Sequence, residues 1–508
     1  MAIQRARICH LEPSKKVLYD EPESERRDYN KRICRLRKSE YPMLKGTVYL
    51  DHGGTTVASK SLLRAFAGQM PKILLSNPHS DAGNASWSAS TIAKTRRRVL
   101  EFFSADPAHF DVVFTANATA AIKLVADAFS GHEAGFNYYF HYKCHTSLLG
   151  VEQLAESSLC LDSNEAFASW IQRDNESQRP SLFAYPAQSN MDGERLPTHW
   201  PAQIRTSSCH GKRYTLLDVA AFVPTSPLNL ANHRDAPDFL VLSFYKIFGF
   251  PDLGALIVRK ASAHVLKHRR YFGGGTIEMI AFTEKLCVVR KDTSLHERLE
   301  DGTAPIRNIL ALACAMDEHE HLFGGMDQIS KHTTWLARTM YKRLEGLRHA
   351  NGMSICHFYK ASSSEYGDPK SQGATLALNF RNDDGTWLGC WHVGQMLRDY
   401  GIIVRTGSHC NPAGAAVVLE LDPSWLKGEF EQGFRCNTEQ DVVKGKAVGM
   451  VRITFGAMST MADVDALVDT IAEKLVDKGK AGWSADRTTT CLGKRIAQCC
   501  RGLLAKPL

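Results

Sequence analysis

The chain contains the segment Phe239-Leu240-Val241-Leu242-Ser243-Phe244-Tyr245-Lys246, in which an apolar run leads almost directly to a lysine. Strands that are buried on both faces of a parallel sheet have nearly continuous apolar runs of this kind. We therefore predict a strand at 239–244, with Lys246 just beyond its carboxyl end. Ligands of open parallel sheets bind at that edge, which makes the lysine amine a candidate functional group.

Similar apolar runs occur on both sides of this segment, and helical patterns separate them. Strands are predicted at 47–51, 111–115, 136–141, 181–186, 214–219, 239–244 and 255–259, with helices such as 90–103 and 119–128. Alternation of strands and helices is typical of βαβ units. The sequence therefore predicts an α/β fold with a mostly parallel seven-stranded sheet and helices on both faces.

The pattern changes after residue 305. Helices are predicted at 306–320, 326–347 and 461–476, strands at 374–379, 402–405 and 451–455, and an exposed loop at 351–373, which is rich in Ser, Gly and Asp. We predict four parts along the chain. They are a basic N-terminal extension (1–45), a large α/β domain (46–305), a small α+β domain (306–476) and a basic tail (477–508).

The composition excludes several classes of protein. Of the 508 residues, 44% are hydrophobic and 23% are charged, as in ordinary soluble globular proteins. No apolar run is long enough for a transmembrane helix, and the N-terminus has no apolar segment of a secretory signal. The fourteen cysteines are therefore expected to be free thiols in the cytoplasm. Their spacing predicts no metal site.

The net charge of +8 is concentrated at the two ends of the chain. Residues 1–45 hold 12 basic and 7 acidic side chains, and residues 474–508 hold 8 and 2. A nucleic-acid-binding protein usually carries its basic residues on one continuous surface. We therefore expect no nucleic-acid binding, and we predict that both ends are solvated tails.

Three candidate groups match the three ends of one cofactor. A lysine amine such as that of Lys246 can form a Schiff base with an aldehyde. Asp218, at the end of the predicted strand 214–219, can hold a protonated pyridine nitrogen. The turn Asn117-Ala118-Thr119 precedes a helix, whose free N–H groups suit a phosphate, and Ser243 offers a further hydroxyl. Together they predict pyridoxal phosphate.

Several segments of the chain resemble the class-V, fold-type-I pyridoxal-phosphate enzymes, which include the cysteine desulfurases. The resemblance covers about residues 45–473 and is closest to the amino-terminal, desulfurase-like part of molybdenum cofactor sulfurases. The segments that carry it include Tyr49-Leu50-Asp51-His52-Gly53-Gly54, His145-Thr146-Ser147, Asp218-Val219-Ala220-Ala221, Ser243-Phe244-Tyr245-Lys246-Ile247-Phe248-Gly249-Phe250-Pro251 and Arg405-Thr406-Gly407-Ser408-His409-Cys410-Asn411-Pro412.

The resemblance implies a role for each of these residues toward the cofactor. Lys246 would bind the aldehyde and move protons, and Asp218 would pair with the ring nitrogen. His145 would stack on the ring and act as a catalytic residue that relays a proton. Asn190 would approach the ring hydroxyl, with Gln188 as the alternative. The residues expected at the phosphate are Ala118, Thr119 and Ser243, joined by Thr276 or Thr303 from a second subunit, because the resemblance also implies a homodimer.

The reaction depends on Cys410. The resemblance implies that its thiolate takes the sulfur of L-cysteine, leaving alanine and a persulfide, while Arg452 clamps the substrate carboxylate with help from Arg405. Arg405 and His409 are expected to favour the thiolate, in a loop where the thiol is mobile and exposed. The sulfur acceptor implied is molybdenum cofactor or its carrier protein.

The sequence also allows two other interpretations. A pyridoxal-phosphate carbon–sulfur lyase, or a related class-V transferase acting on another amino acid or thioether, would need Lys246 but not Cys410. A non-catalytic scaffold would bind a partner through its basic ends and need neither. The resemblance also implies a carboxyl-terminal domain, which binds the molybdenum cofactor in full molybdenum cofactor sulfurases. We expect the 35 or so residues after the last predicted helix to be too few for such a domain.

Overall fold

A computed structural model describes residues 22–79, 87–173, 179–207, 212–282, 286–435 and 438–477. Its α-helices are α1 (Glu23–Glu40), α2 (Lys60–Gln69), α3 (Trp87–Phe102), α4 (Ala118–Ser130), α5 (Thr146–Leu149), α6 (Asn164–Ile171), α7 (Trp200–Thr206), α8 (Tyr245–Phe248), α9 (Leu295–Leu299), α10 (Ile306–Phe323), α11 (Met326–Glu345), α12 (Cys390–Asp399), α13 (Pro412–Val418), α14 (Pro423–Glu431) and α15 (Met461–Leu475).

The strands are β1 (Val48–Tyr49), β2 (Phe110–Thr115), β3 (Asn137–His141), β4 (Ser157–Leu161), β5 (Ser181–Pro186), β6 (Arg213–Asp218), β7 (Phe239–Ser243), β8 (Gly254–Arg259), β9 (Ile277–Phe282), β10 (Leu286–Arg290), β11 (Cys356–Phe358), β12 (Thr375–Arg381), β13 (Trp387–Leu388), β14 (Ile402–Ile403), β15 (Arg405–Gly407), β16 (Val442–Val443), β17 (Lys446–Ala447) and β18 (Met450–Thr454).

The large sheet has seven strands in the order β2-β8-β7-β6-β5-β3-β4. Strand β8 runs antiparallel to its two neighbours, and the other pairings are parallel. The predicted mostly parallel sheet is therefore confirmed, with one difference in its membership. The seventh strand is β4, which sequence reasoning missed, and not the predicted strand 47–51.

The apolar runs of the sheet supply two separate cores. In β7, Leu240 and Leu242 face a cluster shared with helices α3 and α10. The alternate residues Phe239 and Val241 face a second cluster that includes helix α4. Side chains of a strand alternate between its two faces, so a continuous apolar run is required where helices cover both. This covering leaves the carboxyl ends of the parallel strands as the open edge.

The segment around β1 belongs to the smaller core. Val48 and Tyr49 pair in parallel with Ile402 and Ile403 of β14. Leu50 is buried in a cluster with the residues of the second sheet, whose strand order is β11-β12-β18-β15. The strand was thus predicted at the right place in the chain and assigned to the wrong sheet. Its position brings the residues that follow β1 to the junction of the two sheets.

Two segments depart from their sequence predictions. Helix α10 packs in the core of the large sheet through Ile309 and Leu312, although it follows the boundary predicted at 305. The predicted exposed loop 351–373 contains β11 and buries Ile355 and Tyr366, because its few apolar side chains insert into the core of the second sheet. The division of the chain at 45, 305 and 476 stays a prediction.

The N-terminal extension is only partly described, and the described part is not a tail. Residues 23–40 form helix α1, and Ile33 is fully buried beside Phe323 and Met458. Most residues of this helix are charged, so its one apolar face is hard to recognise in the sequence. Residues from other parts of the chain cover that face. Residues 1–21 and the basic tail from 478 onward lie outside the described residues.

Among the helices that the structure describes, none combines the length and apolarity that crossing a bilayer requires. Across the described ranges, no group of three or more His, Cys, Asp or Glu side chains is arranged to hold a metal ion.

Candidate active site

Lys246 lies at the open edge of the large sheet, where the fold turns sharply. Strand β7 ends at Ser243, and the short helix α8 carries the lysine. Gly249 ends this helix with a φ of 78°, and a Cβ there would lie 2.3 Å from the backbone nitrogen of Ala58. Only glycine suits that conformation and that close approach. The turn holds Lys246 at a small cavity.

The cavity brings together most of the residues that the sequence singled out. Its lining includes Ala118, Thr119, His145, Gln188, Asn190, Asp218, Ser243 and Lys246. They come from the carboxyl ends of five strands of the large sheet, β2, β3, β5, β6 and β7, and from the segments that follow them. Arg405, Arg452 and Cys410 come from the second sheet and its loops, and Thr276 lies elsewhere.

Asp218 and Lys246 both line this cavity, and the charge of Asp218 acts on the Lys246 amine. Asp218 is 8% exposed, and its Oδ1 accepts a hydrogen bond from the backbone N–H of Ala220 at 2.9 Å. Burial lowers the pKa of Lys246, and the negative charge of Asp218 partly opposes that shift. An amine with a lowered pKa is more often neutral, and the neutral amine is the nucleophilic form.

His145 forms one wall of the cavity at the start of helix α5. Its Nδ1 lies 2.8 Å from Oγ of Ser147 and accepts the N–H of the same residue at 3.1 Å. Burial lowers the pKa of His145, again against the opposing charge of Asp218. These contacts fix the ring in one orientation and favour its neutral form.

The N-terminus of helix α4 lies beside Ser243 at the wall of the cavity. The N–H of Ala118 donates to Ser243 Oγ at 2.9 Å, and Asn117 Oδ1 accepts from the N–H of Ala120 at 3.0 Å. Thr119 Oγ1 lies 2.8 Å from Ser147 Oγ. Because Ser243 accepts through its oxygen, its O–H proton is available for a phosphate oxygen, which the helix dipole also attracts.

Asn190 and Gln188 lie close together and have different partners. Asn190 Nδ2 donates to the carbonyl of His409 at 2.7 Å, and its Oδ1 accepts from Asn411 at 3.0 Å. Gln188 Nε2 donates to the carbonyl of Ala221 at 2.9 Å. Asn190, expected at a ring hydroxyl, thus also contacts the loop that carries Cys410.

Asp51 is a site residue to which sequence reasoning gave no role. Its Oδ1 forms an ion pair with Arg452 Nη2 at 2.7 Å, and its Oδ2 lies 3.8 Å from Arg405 Nη1. Arg452 is 2% exposed, whereas 43% of the Arg405 side chain is exposed. A Cβ on Gly53 would lie 3.3 Å from Arg452 Nη2. Asp51 ends the predicted strand 47–51, so the strand-end rule that selected Asp218 would also have found it.

Cys410 is exposed in a tight turn after β15. The φ angles of His409 and Cys410 are 57° and 56°, and the carbonyl of Cys410 accepts the N–H of Thr146 at 2.9 Å. Burial, with help from Arg452 and Arg405, holds the pKa of His409 well below its usual value. The ring is buried and this shift favours its neutral form, so the expectation that His409 favours the thiolate stays a prediction.

Thr276 lies outside the cavity that holds Lys246. It is fully buried, and its hydroxyl donates to the carbonyl of Gly273 at 2.7 Å. Thr303, its alternative, is exposed. Their contact with the phosphate of a second subunit stays a prediction.

Residues 48–467 match the protein family described as Aminotransferase class-V. The chain belongs to the aminotransferase class-V family. Membership confirms the resemblance predicted from the sequence and the predicted cofactor, pyridoxal phosphate. A lysine amine, a carboxylate and a helix N-terminus around one cavity are the donors that this cofactor needs.

Among similar curated proteins is the molybdenum cofactor sulfurase of Chaetomium globosum. It is 48% identical over 454 residues, which is 88% of this chain and 58% of that protein. The molybdenum cofactor sulfurase of Neurospora crassa is 49% identical over 457 residues, 88% of this chain and 48% of that protein. The chain therefore spans about half the length of these relatives.

Solved structures of cysteine desulfurases have the same fold. The apo structure of the enzyme from Thermococcus onnurineus NA1 matches with a TM-score of 0.66 and 18% identity, covering 87% of this chain and 97% of that one. The cysteine desulfurase CsdA from Escherichia coli matches with a TM-score of 0.63 and 18% identity, covering 87% and 98%. The predicted fold-type-I architecture is confirmed.

Proposed function

We propose that this chain is a pyridoxal-phosphate-dependent cysteine desulfurase that forms a persulfide on Cys410 and releases alanine from L-cysteine. The observation that carries the proposal is the attachment of the Cys410 turn to the cavity. The carbonyl of Cys410 is bonded to Thr146, next to His145, and the carbonyl of His409 is bonded to Asn190. An exposed thiol is thereby held beside a lysine–aspartate cavity.

The residues of the chain divide the work between cofactor and substrate. Pyridoxal phosphate, when bound, withdraws negative charge from the substrate carbon next to its amine. Asp218 would hold the ring nitrogen in its protonated form, and Lys246 would bind the aldehyde and carry a proton to and from substrate carbon. Ala118, Thr119 and Ser243 would hold the phosphate.

The sulfur step belongs to Cys410. Its thiolate Sγ forms a bond with the substrate sulfur as the bond between that sulfur and the substrate carbon breaks. The electron pair of the broken bond stays on the carbon, which takes up a proton and becomes the methyl group of alanine. Arg452 and Arg405 would hold the substrate carboxylate during this step, because a guanidinium pairs well with a carboxylate.

The acceptor proposed is molybdenum cofactor or a protein that carries it. The names of the curated relatives support this choice. So does their sequence identity of 48% and 49%, which extends over 88% of the chain. A homodimer in the cytoplasm, with Thr276 facing the phosphate of the partner subunit, remains part of the proposal.

Cys410→Ala tests the function, and Cys160→Ala is its matched control. Cys160 is also an exposed thiol, on the edge strand β4. With cysteine and a thiol reductant, Cys410→Ala is expected to lose alanine and sulfide production, while Cys160→Ala keeps both. Undiminished production of alanine and sulfide by Cys410→Ala would contradict the persulfide mechanism and favour the carbon–sulfur lyase.

Two further measurements complete the test. Lys246→Ala is expected to abolish the visible absorption of the bound cofactor, an outcome that a cofactor-free scaffold would not give. Isotope-labelled sulfur, located by mass, should appear first on Cys410 and then on added molybdenum cofactor. Label that never leaves Cys410 for this acceptor would contradict the proposed acceptor.

A further inference from the structure

The turn that carries Cys410 has a backbone conformation that side chains resist. His409 and Cys410, at φ angles of 57° and 56°, are consecutive non-glycine residues in the left-handed region. A Cβ in this region crowds the following carbonyl, so residues other than glycine seldom adopt it and do so one at a time. Contacts with the rest of the protein must therefore hold the turn in place.

Three carbonyl groups of the turn accept hydrogen bonds, one from a donor in the turn itself and two from donors elsewhere in the chain. Ser408 O accepts the N–H of Asn411 at 3.0 Å, His409 O accepts Nδ2 of Asn190 at 2.7 Å, and Cys410 O accepts the N–H of Thr146 at 2.9 Å. Thr146 is the first residue of helix α5, where a backbone N–H has no acceptor inside the helix. Two of the three donors thus come from the segments that follow strands β3 and β5 of the large sheet.

Asn411 connects these donors to one another. Its side chain is fully buried, and Nδ2 donates to the carbonyl of Lys143 at 2.9 Å and to Asn190 Oδ1 at 3.0 Å. Its Oδ1 accepts the N–H of Gly414 at 3.1 Å and so caps helix α13. Because Asn411 occupies the oxygen of the Asn190 amide, the nitrogen of that amide faces His409 O.

A buried ion cluster fixes the other end of this connection. Lys143 Nζ donates to Asp192 Oδ2 at 2.6 Å and also to Glu194, and all three side chains are buried. Asp192 lies two residues after Asn190, and Lys143 lies two residues before His145. The cluster therefore joins the two cavity-lining segments to which the Cys410 turn is attached.

We propose that Asn411 is a positioning residue that holds the Cys410 turn against the cavity through Asn190 and the Lys143 carbonyl. This proposal deepens the proposed function and rests on it. If it is correct, the side chain of Asn411 affects the rate of sulfur removal and does not affect cofactor binding. It also replaces the mobile loop predicted from the sequence with a turn that is fixed on both sides.

Asn411→Asp separates the two roles of this side chain. The carboxylate keeps an oxygen that can cap the Gly414 N–H, but it has no N–H to donate to Lys143 O or Asn190 Oδ1. Asn382→Asp is the matched control. Asn382 is also a buried asparagine that donates through Nδ2, to Thr386 Oγ1 at 2.9 Å, and it is not among the residues lining the cavity.

Hydrogen exchange and kinetics on the cofactor-loaded protein test the proposal. In Asn411→Asp we expect the amides of Thr146 and Asn411 to exchange about tenfold faster, with cofactor absorption unchanged. A displaced reacting group costs about 10²-fold in rate, so kcat for alanine should fall by that order while KM changes less than about twofold. Asn382→Asp should show none of these effects.

Three outcomes would overturn the proposal. They are unchanged exchange at both amides, an unchanged kcat, or a loss confined to KM or to cofactor binding. If Asn411→Asp does not fold, the wild-type chain still decides, because fast exchange of the Thr146 amide would show that the turn is not attached. Exchange needs no turnover, so this result is independent of whether Cys410→Ala removes desulfurase activity.

Discussion

Arg452 and Asp51 lie 401 residues apart in the chain and form an ion pair with an Nη2–Oδ1 distance of 2.7 Å. Only 3% of the arginine side chain and 17% of the aspartate side chain are exposed. Arg452 also donates through Nη1 to the carbonyl of Asn190 at 2.8 Å. The pair therefore joins the segment after β1, strand β18 and the loop that lines the cavity.

Removing the carboxylate of this pair should destabilise the fold. Asp51→Asn leaves a buried guanidinium with its charge uncompensated, for which the expected loss is about 3 kcal/mol in the free energy of unfolding. Urea unfolding of the cofactor-free protein measures the loss. Asp51→Asn combined with Arg452→Met should cost less than the sum of the two single changes. Strictly additive losses would show that the two charges are not coupled.

The two arginines should contribute unequally to substrate binding. The guanidinium of Arg452 is held by Asp51 and Asn190, and lysine cannot reproduce its planar set of donors. Arg452→Lys is expected to raise KM for cysteine about tenfold, and Arg405→Lys about threefold, which correspond to about 1.4 and 0.7 kcal/mol of binding. Initial-rate kinetics of alanine formation provide the test.

Arg381→Lys is the control for this pair of substitutions. Arg381 stacks on Trp387 at 3.8 Å, and it is not among the residues lining the cavity. Its KM should equal that of the wild type. A fall in kcat with KM unchanged in Arg452→Lys would assign this arginine to another step.

The sequence allowed the centre of the site to be predicted because it lies on buried parallel strands. Continuous apolar runs located the ends of β6 and β7, and Asp218 and Lys246 follow from those ends. Strand β4 was missed for the opposite reason. Four of its five side chains are exposed at an edge of the sheet, so it has no apolar run.

Other features of the site depend on contacts between distant parts of the chain. Asn190 and His409 are 219 residues apart, and no local pattern predicts that their segments meet. The sequence predicts that His409 favours the Cys410 thiolate because the two residues are neighbours in the chain. In the folded chain, burial and the charges of Arg452 and Arg405 lower the pKa of His409 and so favour its neutral form.

Ser243 should contribute to cofactor affinity without determining the fold. Ser243→Ala removes one hydroxyl donor to the phosphate and leaves the N–H of Ala118 without its acceptor at 2.9 Å. A hydrogen bond to a charged group is worth about 1.5 kcal/mol or more, so the Kd for pyridoxal phosphate should rise about tenfold or more. Titration of the apoprotein, followed by absorption, measures this change.

The control for this titration is Ser207→Ala. Ser207 follows helix α7, and its hydroxyl donates to the carbonyl of Ile204 at 2.9 Å. Its Kd for the cofactor should not change. Equal Kd values in Ser243→Ala and the wild type would exclude Ser243 from the phosphate site.

His319 should make the stability of the protein depend on pH. It lies in α10 with its ring 5.1 Å from that of Phe248, and burial lowers its pKa from 6.5 to about 4. Below pH 6.5 the unfolded chain takes up a proton that the folded chain excludes until about pH 4. Stability is therefore fully present above pH 6.5 and falls as the pH drops, by about 2 kcal/mol from this residue between pH 7 and 5.

His319→Phe should remove this share of the pH dependence, because it keeps an aromatic ring beside Phe248 and cannot titrate. The exposed neighbour His321→Phe is the control and should keep the wild-type dependence. Urea unfolding at pH 7 and pH 5 gives the comparison. The wild type and the control should lose about 2 kcal/mol more than His319→Phe between these values. Equal losses in all three would mean that folding does not lower the pKa of His319.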